Sequence, residues 1–575
     1  MMPPIAPRLV VKQGPSPLLD VLRGVRGPIL AAALFSAASN LLLLLPALYM
    51  LQVYDRVLQS RSESTLLALT LIIGAGLLVM ALLETVRSRI LVRVGARMDR
   101  ALSARVFDRI FAPDVRLAGT TRSRPLADLN QVRQFLTGPA FFAIFDSIWI
   151  PIYIFILFLI HPLLGWLAVA TTLLLFVLAV ATEFATRKRL AQASDAQGKG
   201  INFVESSLRN ADVLDAMGML DQVRARWRRF HQRMLGEQAL ASDRAGMLAG
   251  ASKFVMIFTQ SLLLGGGAWL AIRGTISPGL MIAGAIIGGK ALQPVQLLVG
   301  QWQSFVQTRL AWKRLSNLLA GEWRDTTRMP LPAPKGQVTA LNVIAAPPNT
   351  QTPVLRGVSL DLSPGEIVAV IGPSGSGKST FARTLTGVWP IAGGEIRLDG
   401  APLSQWPRSQ LGEAIGYLPQ DVELFEGTVA ENIARLATPD PERVVEAAKL
   451  MEAHEMILRL PQGYNTQVGE GGRLLSGGQR QRIGLARAVY GNPAFCVFDE
   501  PNSNLDDQGE QLLGLALRRL KEAGKSVLVI SHRPSTLNYV DKVLVLQAGQ
   551  VAFFGTRQEA LARFTRIQPS QAANS

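Results

Sequence analysis

Six apolar segments crowd the first half of the chain, each near the ~20 residues that a helix needs to cross a bilayer. They run over Pro28–Leu51, Thr65–Leu83, Pro139–Ile160, Pro162–Thr182, Ala249–Ile272 and Pro278–Gly300. Hydrocarbon offers no partner to a free backbone N–H or C=O, so runs of this length predict membrane helices. Composition agrees: of 575 residues only 18% are charged, and the mean hydropathy is positive. The formal charge of +17 invites a nucleic-acid reading, but the position of the charges argues against it. The two long connections, Glu84–Gly138 and Glu183–Gly250, carry eleven Lys plus Arg each, whereas the short ones contribute only Arg56, Arg61 and Arg273. By the positive-inside rule the long connections and both termini are cytoplasmic, and their charge faces anionic membrane lipid rather than nucleic acid.

Mixed charge and apolar spacing over Arg87–Ile110 and Asn202–Leu235 predicts that the membrane helices continue into the cytosol. Leu126–Arg133 and Ser207–Leu214 are the expected turns at the far ends. Three charges fall within spans, and charge in lipid is costly enough to mark each as a candidate. Lys253 lies near an inner end and is expected to snorkel. Asp146 suits a structural pairing better than a substrate contact, and for Lys290, near mid-membrane, a cavity-facing role is as good a reading as a structural one. Residues 1–27 hold prolines and a short amphipathic piece, Leu18–Arg23, without a secretory signal. They read as a cytoplasmic segment ahead of a membrane domain over 28–320.

After a proline-marked linker, 321–337, the texture changes over 338–575 to short strands, turns and amphipathic helices, the pattern of an α/β domain. An apolar strand, Ile367–Ile371, leads into Gly372-Pro373-Ser374-Gly375-Ser376-Gly377-Lys378-Ser379-Thr380 and then a helix. Strand, glycine loop and Lys-Ser before a helix make a phosphate cradle: loop N–H groups face phosphate oxygens, Lys378 reaches the outer phosphates, and Ser379 offers a hydroxyl to Mg2+. Ser476-Gly477-Gly478-Gln479 opens a second helix and makes a second anion site by the same dipole argument. The strand Phe495–Phe498 ends in Asp499, suited to hold magnesium, and Glu500, suited to orient or deprotonate an attacking water. The strand Val527–Ile530 ends near His532, a plausible phosphate contact; His161, His231 and His454 read as surface or packing residues. The single cysteine, Cys496, excludes an internal disulfide and reads as a small buried hydrophobe.

This ordered set resembles the ATP-binding cassette (ABC) family. Gly372–Thr380 is similar to its Walker A, Gln420 to its Q-loop and Leu475–Gln479 to its signature, while Asp499-Glu500 resembles Walker B with the catalytic glutamate. Ser503–Asp506 resembles the D-loop and His532 the switch histidine. The resemblance implies an α-helical membrane domain of six transmembrane helices fused to an α/β P-loop nucleotide-binding domain, working as a homodimer. ATP would lie between one copy's Walker A and the other's signature, with Asp506 nearby, and Ser379, Gln420 and Asp499 would hold Mg2+. Leu48–Leu58, Phe145–Tyr153 and Arg209–Gly218 further resemble the type I secretion kind. That kinship implies a multi-pass protein of the bacterial inner membrane, with its cassette in the cytoplasm, that exports an unfolded polypeptide bearing a C-terminal signal. It also implies a periplasmic membrane-fusion adaptor and a TolC-like outer-membrane channel as partners, and with no peptidase-like domain ahead of the first span, no leader processing is expected. A lipid or drug exporter is the alternative within this architecture; a gated channel or a nucleic-acid ATPase fits less well. One departure stands out: where such cassettes place an adenine-stacking aromatic, Val343–Asn349 offers none, leaving Pro347 and Val354 as apolar substitutes.

Overall fold

The computed structural model describes residues 17–112, 124–320, 328–348, 350 and 352–565. Two compact units emerge, Met1–Arg324 and Asp325–Ser575.

Among the described residues of the first unit, five helices are long and apolar enough to span a membrane, and a bent pair raises the number to six. Proline and a polar cap set their starts: Ser277 accepts from the Leu280 N–H ahead of Pro278–Gly300, and His161 accepts from the Leu163 N–H ahead of Pro162–Leu208. Glu63–Ile110 is one helix of 48 residues. At 1.5 Å per residue it runs to roughly 70 Å, more than twice the hydrocarbon thickness. Its sequence changes register with its surroundings. Leu67, Leu71, Leu78 and Leu82 are exposed, as lipid requires, whereas Leu91, Val94, Met98, Leu102 and Val106 form a buried stripe farther on.

Met98, Leu102 and Val106 of that stripe pack on Leu129, Val132 and Leu136 of the helix Arg124–Thr137 and on Ala311 and Leu315 of Trp302–Leu319. Leu126–Arg133 is therefore helix, not the turn expected: its apolar residues recur at helical spacing and find a core. Residues 113–123, where the chain connects these helices, lie outside the described residues. The other expected turn, Ser207–Leu214, does contain a break, between helices ending at Leu208 and starting at Ala211. The third span bends by 46° between Pro139–Ser147 and Ile150–Ile160, where Pro151 removes a backbone donor. Near the bend, Asp146 accepts from Ser36 (2.6 Å), Asn40 (2.8 Å) and Arg87 (3.2 Å), and Arg87 also lies over the Phe142 ring. Lys253 is exposed, and Lys290 donates to Gln293 at 3.4 Å.

The described residues of the second unit form ten strands: β1 (Val338–Ala345), β2 (Leu355–Leu362), β3 (Ile367–Ile371), β4 (Gly393–Leu398), β5 (Ala401–Pro402), β6 (Ile415–Leu418), β7 (Phe495–Asp499), β8 (Ser526–Ile530), β9 (Lys542–Gln547) and β10 (Gln550–Thr556). An antiparallel sheet is ordered β2-β1-β4-β5, and a second sheet β10-β9-β3-β8-β7-β6 is parallel except for its β10 edge. Strands of the parallel sheet are buried on both faces, as its near-continuous apolar runs demand. Val368, Val370, Phe495 and Val497 face one core; Ile367, Ala369, Cys496 and Phe498 face the other. Residues 328–337 have no helix or strand and lie against this unit: Arg328 donates to the Trp406 carbonyl, and Asp399 accepts from the Gln337 N–H.

Candidate active site

The carboxyl ends of β3, β7 and β8 lie side by side, because β8 pairs with both neighbours in parallel register. Each strand releases one part of the site. From β3 the chain turns through Gly372–Gly377 into the helix Lys378–Leu385. Gly377 has φ +100°, and a Cβ there would sit 2.9 Å from Leu355 and 3.2 Å from Val354, so only glycine fits. Lys378 is almost fully buried, and its ammonium donates to the carbonyls of Gly372 (2.9 Å) and Pro373 (3.0 Å). Burial pulls its pKa down, opposed by the negative charges of Glu500 and Asp499.

Asp499 ends β7 and is fully buried. Its Oδ1 accepts from Ser379 Oγ at 3.3 Å, while Oδ2 and the nearby Ser376 Oγ have no partner among the described residues. Burial pushes the Asp499 carboxyl up, an effect that the Ser379 hydrogen bond opposes. Buried polar atoms are normally satisfied, so these orphans point to a ligand. Among the described residues there is no cluster of three or more candidate metal ligands, which magnesium does not need when substrate phosphates complete its shell.

Glu500 has φ +53°, an uncommon conformation for a residue with a side chain. Its N–H donates to the Ile530 carbonyl of β8 and its own carbonyl accepts from Gln481, which anchors the backbone on both sides. The carboxylate lies 3.3 Å from His532 Nε2 and accepts from Gln420 Nε2, also at 3.3 Å. Two residues picked out from separate motifs, Gln420 and His532, thus converge on the carboxylate of a third.

Ser476–Gln479 is built differently. Ser476 Oγ accepts from the Gln479 N–H and Gln479 Oε1 from the Ser476 N–H, closing a capping box. A Cβ on Gly478 would lie 3.0 Å from the Asn504 carbonyl, so the signature and the D-loop touch. Among the described residues no hydrogen bond or ion pair joins Ser476–Gln479 to Gly372–Thr380. The Asp506 carboxylate is likewise occupied, capping the helix Asp507–Glu522 through the Gly509 N–H at 2.9 Å. Gln481 went unrecognised in the sequence, although a lone amide on the otherwise apolar buried face of the helix Gly477–Val489, beside Ile483 and Leu485, is the available signal. Asn349 lies outside the described residues, but Val354 does face the glycine loop. Of the other histidines, His161 caps a helix, His231 stacks on Trp227, and His454 bonds Tyr464 at 2.9 Å.

A spanning helical domain with long extensions, and a phosphate loop beside a buried Asp-Glu strand end, together define an ATP-driven membrane transporter. Residues 29–287 match the sequence model of the ABC transporter transmembrane region, and residues 355–503 match that of the ABC transporter. The chain belongs to the ABC transporter family; it is a multi-pass membrane protein whose cassette is an ATP-binding ATPase domain. It is 41% identical over 556 residues to the type I secretion system ATP-binding protein PrsD of Rhizobium meliloti (strain 1021), covering 96% of each chain. It is 31% identical to the toxin RTX-I translocation ATP-binding protein of Actinobacillus pleuropneumoniae, over 90% of this chain and 74% of that one. A bacterial Atm1-family ABC exporter solved with ATP bound superposes with a TM-score of 0.81 at 24% identity, over 96% of this chain and 99% of that one, a likeness of fold.

Proposed function

We propose that the protein is the ATPase and channel-forming subunit of a type I secretion system, exporting an unfolded polypeptide with a C-terminal signal across the bacterial inner membrane. The observation that carries this reading is the end-to-end relatedness to a type I secretion ATP-binding protein, at 41% identity. The partners that follow are a periplasmic membrane-fusion adaptor, a TolC-like outer-membrane channel and the secreted polypeptide.

Two copies are needed. Ser476 and Gln479 bond each other and, among the described residues, no hydrogen bond or ion pair ties them to their own phosphate loop, so a second copy's Ser476–Gln479 is the natural lid for that loop. Ser379, the orphaned Asp499 oxygen and Gln420 suit Mg2+, which neutralises phosphate charge when bound. Lys378, held against loop carbonyls, exchanges those acceptors for phosphate oxygens. Glu500 orients a water and takes its proton, and Gln420 and His532 hold its carboxylate in place.

Glu500→Gln keeps the shape but removes the base. The purified variant is expected to bind ATP like the wild type and to hydrolyse it at least ~100-fold more slowly. Normal hydrolysis would overturn the assignment. ATPase stimulation by a hydrophobic small molecule, with no secretion defect on deletion, would favour the lipid or drug exporter instead.

A further inference from the structure

A cavity of about 500 Å³ lies in the extension of the membrane unit beyond the spans, between the helices Arg124–Thr137, Pro162–Leu208, Leu220–Ile272 and Trp302–Leu319. Its polar lining is rich in amides, with Gln131, Gln197, Gln238 and Gln307 beside two cations, Arg124 and Arg314, and one anion, Asp128. None of the four amides has a hydrogen-bond partner among the described residues. An amide both donates and accepts, so such a wall can satisfy a peptide backbone without choosing its sequence.

The charges around the cavity leave Arg124 over. Asp128, on the same wall, is taken bidentately by Arg314 at 2.6 and 2.7 Å. Asp195 pairs with Lys199 at 2.9 Å. Arg124 donates only from Nη2, to the carbonyl and hydroxyl of Ser194, which leaves its Nε and Nη1 without partners among the described residues. Burial and the neighbouring Arg314 disfavour its charge more than Asp128 and Asp195 favour it, a balance that a bound carboxylate would shift. Gly198 makes room for it: a Cβ there would lie 2.2 Å from Arg124 Nη1. Glycine inside a helix costs about 1 kcal/mol against alanine, so this seat for the guanidinium is kept against helix preference.

We propose that this cavity binds an extended peptide segment bearing a carboxylate, with Arg124 taking the carboxylate and the four glutamines the backbone. The proposal rests on the polypeptide-export reading and gives its cargo a first docking site. A side-chain carboxylate and a free C-terminus present the same chemistry to Arg124.

The test uses the full-length protein in detergent and four fluorescent peptides of 12 residues: Asp/Glu-rich or Asn/Gln-matched, each with a free or amidated C-terminus. Binding is expected to fall at least tenfold when the contacted carboxylate is removed, and the series tells whether side chain or terminus supplies it. Arg124→Gln is expected to cost the same factor, and Gly198→Ala, which keeps the charge but displaces the guanidinium, to weaken binding as well; nucleotide binding reports that each variant is folded. Equal affinity for all four peptides, or for the wild type and a folded Arg124→Gln, would overturn this site while leaving the export reading intact. No binding of any peptide, together with unchanged secretion when the protein is deleted, would overturn the export reading itself.

Discussion

Replacing Asp146 by alanine should destabilise the membrane unit more than its place at the edge of a span suggests. The carboxylate collects three donors, from Ser36, Asn40 and Arg87, and the Asn40 carbonyl in turn accepts from Tyr153 at 2.8 Å. Side-chain exposure is 11% for Arg87 and 21% for Asp146, so the pair is largely out of solvent. Removing one partner of a buried pair costs about 3–5 kcal/mol, mostly because the other charge is stranded. Arg87 would keep Ser36 Oγ at 2.9 Å and the Phe142 face, so the low end, about 3 kcal/mol, is expected. Arg87→Met strands an anion that retains two neutral donors and should cost less. The double variant should be more stable than the sum of the single effects by at least about 1 kcal/mol. Unfolding of the micelle-embedded protein by a graded denaturing detergent, followed by tryptophan fluorescence, supplies the cycle. Strict additivity would refute the idea that the ion pair, rather than the separate hydrogen bonds, holds these three spans together.

Two further outcomes follow from the cassette. Because burial raises the Asp499 carboxyl, its contribution to stability is favourable at low pH and is lost as pH climbs through the raised value. Nucleotide-free Asp499→Asn should therefore melt higher than the wild type at pH 8, the gap closing as pH falls toward about 4, while magnesium-dependent hydrolysis is lost; an Asn variant that melts lower at pH 8 would contradict this. Cys496 is wholly enclosed, and burial pushes its thiol up to about 12. A maleimide should leave the native protein unlabelled at pH 8 and label it once the cassette unfolds, and stoichiometric native labelling would show that β7 is open to solvent.

The cassette was legible because its chemistry is written locally. Gly372–Thr380 and Asp499-Glu500 are short runs in which loop, strand and side chain are contiguous, so their roles could be read before their neighbours were known. The resemblance named Gln420 and His532 as separate motifs, but their convergence on Glu500 was not legible, since those residues lie 80 and 32 positions away along the chain. The spans were legible through length and hydropathy, but the bend near Pro151 was not, because a proline in an apolar run does not say whether the helix breaks. Leu126–Arg133 was misplaced because its polar residues outweighed the Leu129, Val132 and Leu136 stripe, whose core is supplied by distant helices. Charge told the least. The charge of the long connections was assigned to lipid, yet Arg189 pairs with Glu237 within them, and their Glu183 and Asp128 are taken by Arg309 and Arg314 of the helix Trp302–Leu319. Those partners lie 48, 126 and 186 residues apart, beyond what spacing can reveal.

The most direct measurement compares the proteins released into the medium by cells carrying the wild-type chain and cells carrying Glu500→Gln at the same level in the membrane. If ATP hydrolysis at this site drives polypeptide export, at least one protein should vanish from the medium of the variant strain and accumulate, uncleaved, inside the cell. An unchanged set of released proteins, with the variant inserted, binding ATP and inactive as an ATPase, would contradict it.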